Sequence, residues 1–199
     1  HQQQFQALVQ QLNSAITAQE RFTLAYNAEE SDFIRFNHAK VRQVGHVQQA
    51  SVTLKLINDE RHADLQLTLS GDGELDSQRL SEALQQLRET VALLPKDPYL
   101  KPNTETWQNT NVQDLPLPES ELVVEQIARL AQGLDLVGFY AAGPLYRGFA
   151  SSWGALGWHQ ANSFNFDWSL FHENGQAVKA NYAGHEWSDI AFAQRFGLA

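Results

Sequence analysis

Cysteine is absent from the 199 residues, which excludes disulfides and thiolate chemistry within this chain. Methionine is absent too, including at the first position, His1. An intact translation product carries one there unless it has been trimmed, so we expect a piece of a longer protein. Basic residues are scarce: 14 Lys and Arg stand against 23 Asp and Glu, giving a formal net charge of −9 and a pI near 5.2. Affinity for nucleic acid comes mainly from neutralising phosphates with Lys and Arg, so we expect no nucleic-acid partner. No apolar run approaches the roughly 20 residues that span a bilayer, and nothing reads as a signal peptide. We therefore expect no membrane partner and a cytoplasmic location. Outside one stretch, proline is nearly missing as well.

What is present is ordinary globular composition, 43% apolar and 19% charged, patterned for strands and helices. Ser31 to Leu69 reads as an antiparallel meander. Val52, Leu54 and Leu56 alternate with polar residues, as do Leu65, Leu67 and Leu69, and Asn58, Asp59 and Glu60 supply the turn between them. Phe5, Leu8, Val9, Leu12, Ala15 and Ile16 define an amphipathic helix over Gln3 to Gln19. Phe22, Leu24 and Tyr26 form a first strand that Asn27 to Ser31 would break. Asp76 or Ser77 is positioned to cap a second helix through Leu80, Leu84, Leu87, Val91 and Leu94, stopped by Pro95.

Five of the six prolines, Pro95, Pro98, Pro102, Pro116 and Pro118, fall together, and the domain boundary is expected there. The reading is a helix/antiparallel-sheet/helix unit over 1–95, a linker over 96–120 and a second such unit over 121–199. Trp107 is expected to pin the linker onto a domain. In the second unit Leu122, Val123, Ile127, Leu130 and Leu134 mark a helix. Strands follow over Asp135 to Ala142 and Leu145 to Ser152, with Gly143 and Pro144 as the turn, then a long third to Phe171. Asn174 and Gly175 are the strongest hairpin signal in the chain, with positive φ expected at both positions. Ala177 to Tyr182 returns, and Trp187, Ile190, Ala191 and Phe196 suggest a closing helix. The fold class is thus α+β with two helix-flanked antiparallel sheets. An offset of 112 residues lays Arg35, Gly45 and Ser51 over Arg147, Gly157 and Ser163, so an internal duplication is one reading of the repeat in element order and chance coincidence the other.

Candidate sites are few. His172-Glu173 and His185-Glu186 lack the second histidine one turn on that a zinc peptidase helix needs, so no metal site and no catalytic residue is assigned. His38, His46 and His62 lie on or beside meander strands and read as surface histidines. No nucleophile motif, phosphate loop or dinucleotide fingerprint occurs. Aromatic residues concentrate late in the chain: Phe164, Phe166 and Trp168 share a strand face and read as core. Trp153 and Trp158 stand on opposite parities and are the candidate binding residues, able to stack on a sugar or grip a peptide.

The segments DFIRFNHAKVRQVGHVQQASVTLKLI, ALLPKDPYL, YRGFASSWGALGWHQANSFNFDWSLF and VKANYAGHEW resemble the TldD/PmbA family, also called modulator of DNA gyrase, over the N-terminal and middle portion of a member of ordinary length. The resemblance implies a two-subunit, metallopeptidase-related assembly acting on unfolded peptides in peptide maturation or proteolysis. It places the metal site, a His-Glu-x-x-x-His helix with a distant cysteine, in the C-terminal domain of the catalytic subunit. This chain contains neither feature, and PmbA-type counterparts lack the motif altogether. The expectation is therefore a non-catalytic part of a peptidase subunit without a cofactor of its own, zinc belonging only to a missing C-terminal domain. Its partners would be an unfolded peptide and a second subunit, in a homo-dimer or a hetero-dimer. The alternative is a stand-alone peptide- or glycan-binding module that uses the aromatic second sheet. Self-association is expected through Leu134 to Tyr182, where Phe149, Trp153 and Trp158 would expose an apolar patch.

Overall fold

The computed structural model describes residues 1–198. Its elements in chain order are α1 (Gln2–Ala15), β1 (Arg21–Asn37), β2 (Lys40–Asn58), β3 (Arg61–Thr68), α2 (Gly73–Leu93), β4 (Gln108–Gln113), α3 (Ser120–Leu130), β5 (Asp135–Ser151), β6 (Leu156–Phe171), β7 (Ala177–Gly184) and α4 (Asp189–Phe196). The α+β class holds, with one seven-stranded antiparallel sheet in place of two sheets. The strand order is β3-β2-β1-β5-β6-β4, and β7 also pairs with β6.

Two expected strand breaks do not occur. β1 runs through Asn27 to Ser31, and β5 runs through Gly143 and Pro144. At Gly143 the reason is close approach: a Cβ there would lie 1.9 Å from the Glu30 carbonyl oxygen. Only glycine lets the two backbones pass at that point, so the residue that looked like a turn is a crossing point within a strand. Pro144 follows inside the strand, where it contributes no N–H to a ladder.

The chain divides into two compact units, His1–Ala28, Gln49–Val112 and Tyr146–Gln160 forming the first, and Glu29–Gln48, Gln113–Leu145 and Ala161–Ala199 the second. They interleave along the sequence, unlike the consecutive units expected at 1–95 and 121–199. The 96–120 stretch also holds a strand, β4. Its proline-free centre forms the strand, and its prolines stay outside.

In the first unit, Phe22, Leu24 and Tyr26 of β1 and Val52, Leu54 and Leu56 of β2 are buried with Phe5, Leu8 and Leu12 of α1 and Leu80, Leu84, Leu87 and Val91 of α2. Period two on the strands meets period 3.6 on the helices. The cap of α2 is Asp72, which accepts hydrogen bonds from the N–H groups of Glu74 and Leu75 at 2.9 and 3.0 Å. Asp76 and Ser77, either of which the sequence offers as the cap, both lie inside the helix, and Asp76 is buried. It accepts from Ser70 N and Oγ, both at 2.8 Å, and from Gln4 Nε2 at 3.0 Å, tying the start of α2 to α1. Trp107 does pin its segment: its ring covers Gly157, where a Cβ would meet it at 2.9 Å, and stacks on Phe149 at 6.1 Å and 8°.

In the second unit, Ile34, Phe36, Leu136, Tyr140, Phe164, Phe166 and Trp168 pack against Val123 and Ile127 of α3 and Phe192 and Phe196 of α4. Ser188 caps α4 through the Ala191 N–H.

Three hairpins show different degrees of legibility. β2 and β3 pair from Ser51 opposite Thr68 to Asn58 opposite Arg61, turning through Asp59 and Glu60 at φ 51° and 60°; of the three residues expected in the turn, Asn58 belongs to the strand. The β1–β2 turn uses His38 and Ala39 at φ 49° and 55°; neither residue type signals a turn. At Asn174–Gly175 only Gly175 has positive φ, at 83°. The Gly175 N–H reaches His172 O at 2.9 Å and the His172 N–H reaches Gln176 O at 2.8 Å. A turn of one extra residue closed by a left-handed glycine joins these strands, in place of two central positive-φ residues.

One half-buried charge pair, with Glu20 inside and Arg88 partly open to solvent, ties the first unit's helices to the start of its first strand. Glu20, 4% exposed, accepts from Arg88 Nε at 2.7 Å, from a terminal Arg88 nitrogen at 2.8 Å and from the Thr17 N–H at 2.8 Å. The same guanidinium donates to Ala15 O at 2.8 Å. The Arg88 hydrogen bond, stronger than the opposing burial, holds the Glu20 carboxyl below its usual value, and the carboxylate raises the Arg88 pKa in return.

Two outcomes follow. Gly143→Ala forces a Cβ into the Glu30 backbone and is expected to lower stability by about 3 kcal/mol, the upper end for overpacking, seen as a lower urea midpoint at unchanged slope. Arg88→Ala is expected to cost about 2 kcal/mol, typical of losing hydrogen bonds to a charged partner. Because the folded pKa of Glu20 is depressed, its contribution is complete above the unfolded carboxyl value of 4.5 and fades as pH falls below it. The gap in urea midpoint between Arg88→Ala and the unaltered chain should therefore narrow below pH 4.5.

Candidate functional site

A groove of about 780 Å³ lies on the sheet face of the second unit turned away from its core, lined by residues of β1, β5, β6, β7 and α4. Alternation puts it there: Phe36, Leu136, Phe166 and Trp168 point into the core, while Arg35, Val137, Phe139, Asp167 and Ser169 are the odd-numbered residues between them and face outward. Asp167 stands opposite Asn181 and Ser169 opposite Lys179 in the β6–β7 register.

Three cations line this groove, Arg35, Lys179 and Arg195, against one carboxylate, Asp167. That is a local excess of positive charge in a chain of net charge −9. The Arg35 guanidinium lies 5.7 Å from the Phe139 ring centre and 6.0 Å from that of Phe33, and the two rings stack at 5.7 Å. Arg35 is thus held by cation–π contact, which leaves its N–H donors to face solvent. Phe33 owes its place to Gly45, where a Cβ would lie 2.5 Å from the ring. Arg195 Nε donates to Asn181 O at 3.0 Å. Asp167 accepts from Asn165 at 2.6 Å. A second hollow of about 630 Å³ in the same unit is opposite in character, with Val41, Val44 and Val124 beside Asp32, Glu121 and Glu125.

The sequence candidates land elsewhere. Trp158 is 4% exposed in the core of the first unit, stacked on Phe5 at 5.7 Å. Burial closes its face to any ligand and removes it from the expected apolar patch, because the strand parity that left it open is settled by packing against α1. Trp153 sits half-buried in the tight turn after β5, its carbonyl accepting from Thr106 Oγ1 at 2.8 Å. Phe164, Phe166 and Trp168 are core, as expected. None of the groove cations is a candidate site residue in the sequence, Arg35 entering only through the 112-residue offset. Arg35 and Lys179 are far apart along the chain, and only the strand order brings them together.

The histidines do not assemble a metal site. His38 pairs with Asp135 at 2.7 Å, His46 with Asp32 at 2.8 Å and His62 with Asp97 at 3.2 Å, each with its own carboxylate. His185 Nδ1 bonds the Asn162 carbonyl at 2.7 Å, and His172 accepts from the Asn174 N–H beside the hairpin turn. Among the described residues no group of three or more His, Cys, Asp or Glu is placed to hold a metal ion. The donors present do not fit the zinc helix that the family resemblance implies.

The most perturbed titrating group is Tyr140, whose hydroxyl is buried without a hydrogen-bond partner among the described residues. Burial first, and then the Asp32 charge, pushes its pKa from 10.0 up to about 12. It lies in the core, T-shaped against Trp187 at 6.0 Å.

No family model matches the sequence, and no curated protein does. Solved structures do match: the chain has a TldD/PmbA-like fold. TldE from Thermococcus kodakarensis superposes with a TM-score of 0.63 at 13% identity over 96% of this chain and 46% of that one. A candidate modulator of a DNA gyrase from Thermotoga maritima gives 0.61 at 8% identity over 98% of this chain and 47% of that one. A candidate modulator of DNA gyrase from Bacteroides thetaiotaomicron gives 0.56 at 13% identity over 93% and 45%. The chain therefore spans a little under half the length of these proteins. No described helix is long and apolar enough to cross a membrane.

Tyr140→Phe removes a buried hydroxyl that bonds nothing, so urea unfolding at neutral pH should show stability unchanged or raised by about 1 kcal/mol. The raised folded pKa means that the unfolded chain ionises first, so stability is unaffected by this group below pH 10 and falls as pH climbs from 10 towards about 12. The alkaline fall in stability across that interval should be shallower in the variant.

Proposed function

We propose that this chain is the non-catalytic N-terminal part of a TldD/PmbA-like peptidase subunit, which presents unfolded peptides to a metal centre carried by residues outside this chain. The observation that carries the reading is the fold likeness to TldE over 96% of this chain and only 46% of TldE. It is joined by a donor set in which His38, His46 and His62 are each engaged with a separate carboxylate and His185 with a backbone carbonyl. The assembly is a dimer with a related subunit, and the compartment is the cytoplasm. The gyrase description belongs to the neighbours that bear it. The acidic balance of this chain gives no footing for DNA.

The alternative of a free-standing module reading glycans or peptides through aromatic residues loses Trp158, which is buried in the core of the first unit, and keeps only Trp153, half-buried in a tight turn.

The test mixes the purified chain with an unfolded, fluorescently quenched peptide and zinc, alone and together with a TldD-type subunit that carries the His-Glu-x-x-x-His helix. The chain alone should leave the peptide intact. The mixture should cleave it in a chelator-sensitive way, and the two proteins should co-elute. Chelator-sensitive hydrolysis by the chain alone would overturn the non-catalytic assignment.

A further inference from the structure

From the outward groove of the second unit, we propose that this face binds an extended acidic peptide segment bearing two side-chain carboxylates four residues apart with an apolar residue midway. The ends of the groove are cationic. Arg35 stands on β1, and Lys179 stands on β7 with Arg195 beside it. In the order β1-β5-β6-β7 these strands are three intervals apart, about 14 Å at the usual strand spacing. An extended peptide rises about 3.3 Å per residue, so residues four apart are separated by about 13 Å and, at period two, point the same way.

The residue midway points down as well, and the groove offers it Val137 and Phe139 of β5, both exposed. Asp167 on β6 lies between the cationic ends and disfavours a third carboxylate in the middle. The face thus reads charge, apolar, charge at alternate positions. Arg35 comes preorganised: its stacking on Phe33 and Phe139 fixes the guanidinium before any ligand arrives, so little side-chain freedom is lost on binding. The excess of positive charge here, in a chain that is acidic overall, is the complementarity that selects the occupant. The site binds without the second subunit, so its failure would leave the peptidase-subunit reading standing, and failure of that reading would leave this site standing.

The experiment uses short peptides, acetylated and amidated at their ends and labelled with fluorescein, and reads anisotropy with the unaltered chain. Glu-Ser-Phe-Ser-Glu is expected to bind. Its Gln-Ser-Phe-Ser-Gln counterpart and a version with the two glutamates only two residues apart should each bind about tenfold more weakly, as expected for losing a charge-assisted contact. Salt should weaken the first peptide and not the second. A peptide whose only carboxylate is a free C-terminus separates terminal from side-chain recognition and should bind like the Gln peptide. Arg35→Ala and Lys179→Glu should each weaken the Glu peptide about fivefold or more, with far-UV circular dichroism confirming the sheet. Should either variant fail to fold, the peptide series on the unaltered chain decides alone. Absence of binding, equal binding of the Gln or closely spaced peptides, or tight binding of the C-terminal carboxylate alone overturns the proposal.

Discussion

A sheet with one apolar face must be roofed, and everything else in this chain answers to that requirement. β1 buries Phe22, Leu24, Tyr26, Ala28, Ile34 and Phe36 at even positions across its length, and each unit supplies two helices whose apolar stripes cover the corresponding stretch. Full burial of each such side chain contributes roughly 1.5–3 kcal/mol, against which turns and exposed ion pairs count for little. The period of two that sends these residues inward also sends Arg35, Phe139 and Lys179 outward. The groove is thus the other side of the same alternation.

What was legible in the sequence is what depends on local periodicity. The amphipathic faces of α1, α2 and α3, the Asp59–Glu60 hairpin and the core role of Phe164, Phe166 and Trp168 all follow from spacing. What was not legible depends on neighbours distant in the chain. Gly143 and Pro144 look like a turn, and only the approach of Glu30 shows why glycine is needed inside a strand. Asp76 or Ser77 looks like the cap on paper, but the helix starts four residues earlier under Asp72, and a partner at Gln4 draws Asp76 inward. The parity of Trp158 could not be fixed because Phe5, which buries it, lies on α1. Arg35, Lys179 and Arg195 carry no local signature, because lone basic residues on strands and helix ends are ordinary solvated groups until the strand order gathers them.

The same reasoning explains how a fold is shared at 8–13% identity with no family model matching. Many sequences satisfy an alternation of apolar and polar residues, so the pattern persists long after the letters have changed. The few positions that packing dictates strictly are close approaches, Gly143 against Glu30 and Gly45 under Phe33. Such positions are too sparse to build a sequence signature, although they constrain the backbone more tightly than any leucine does.

The left-handed turn at His38 and Ala39 bears on how far this protein stands from its own stability ceiling. Residues with a Cβ are disfavoured in that region by roughly 1–2 kcal/mol each, and both hairpins of the meander place two such residues there. Asn and Gly would suit those positions at lower conformational cost. Selection has accepted strained corners where relief is a two-letter change away, which marks the meander as a reservoir of untapped stability for adaptation to a hotter habitat or for deliberate engineering.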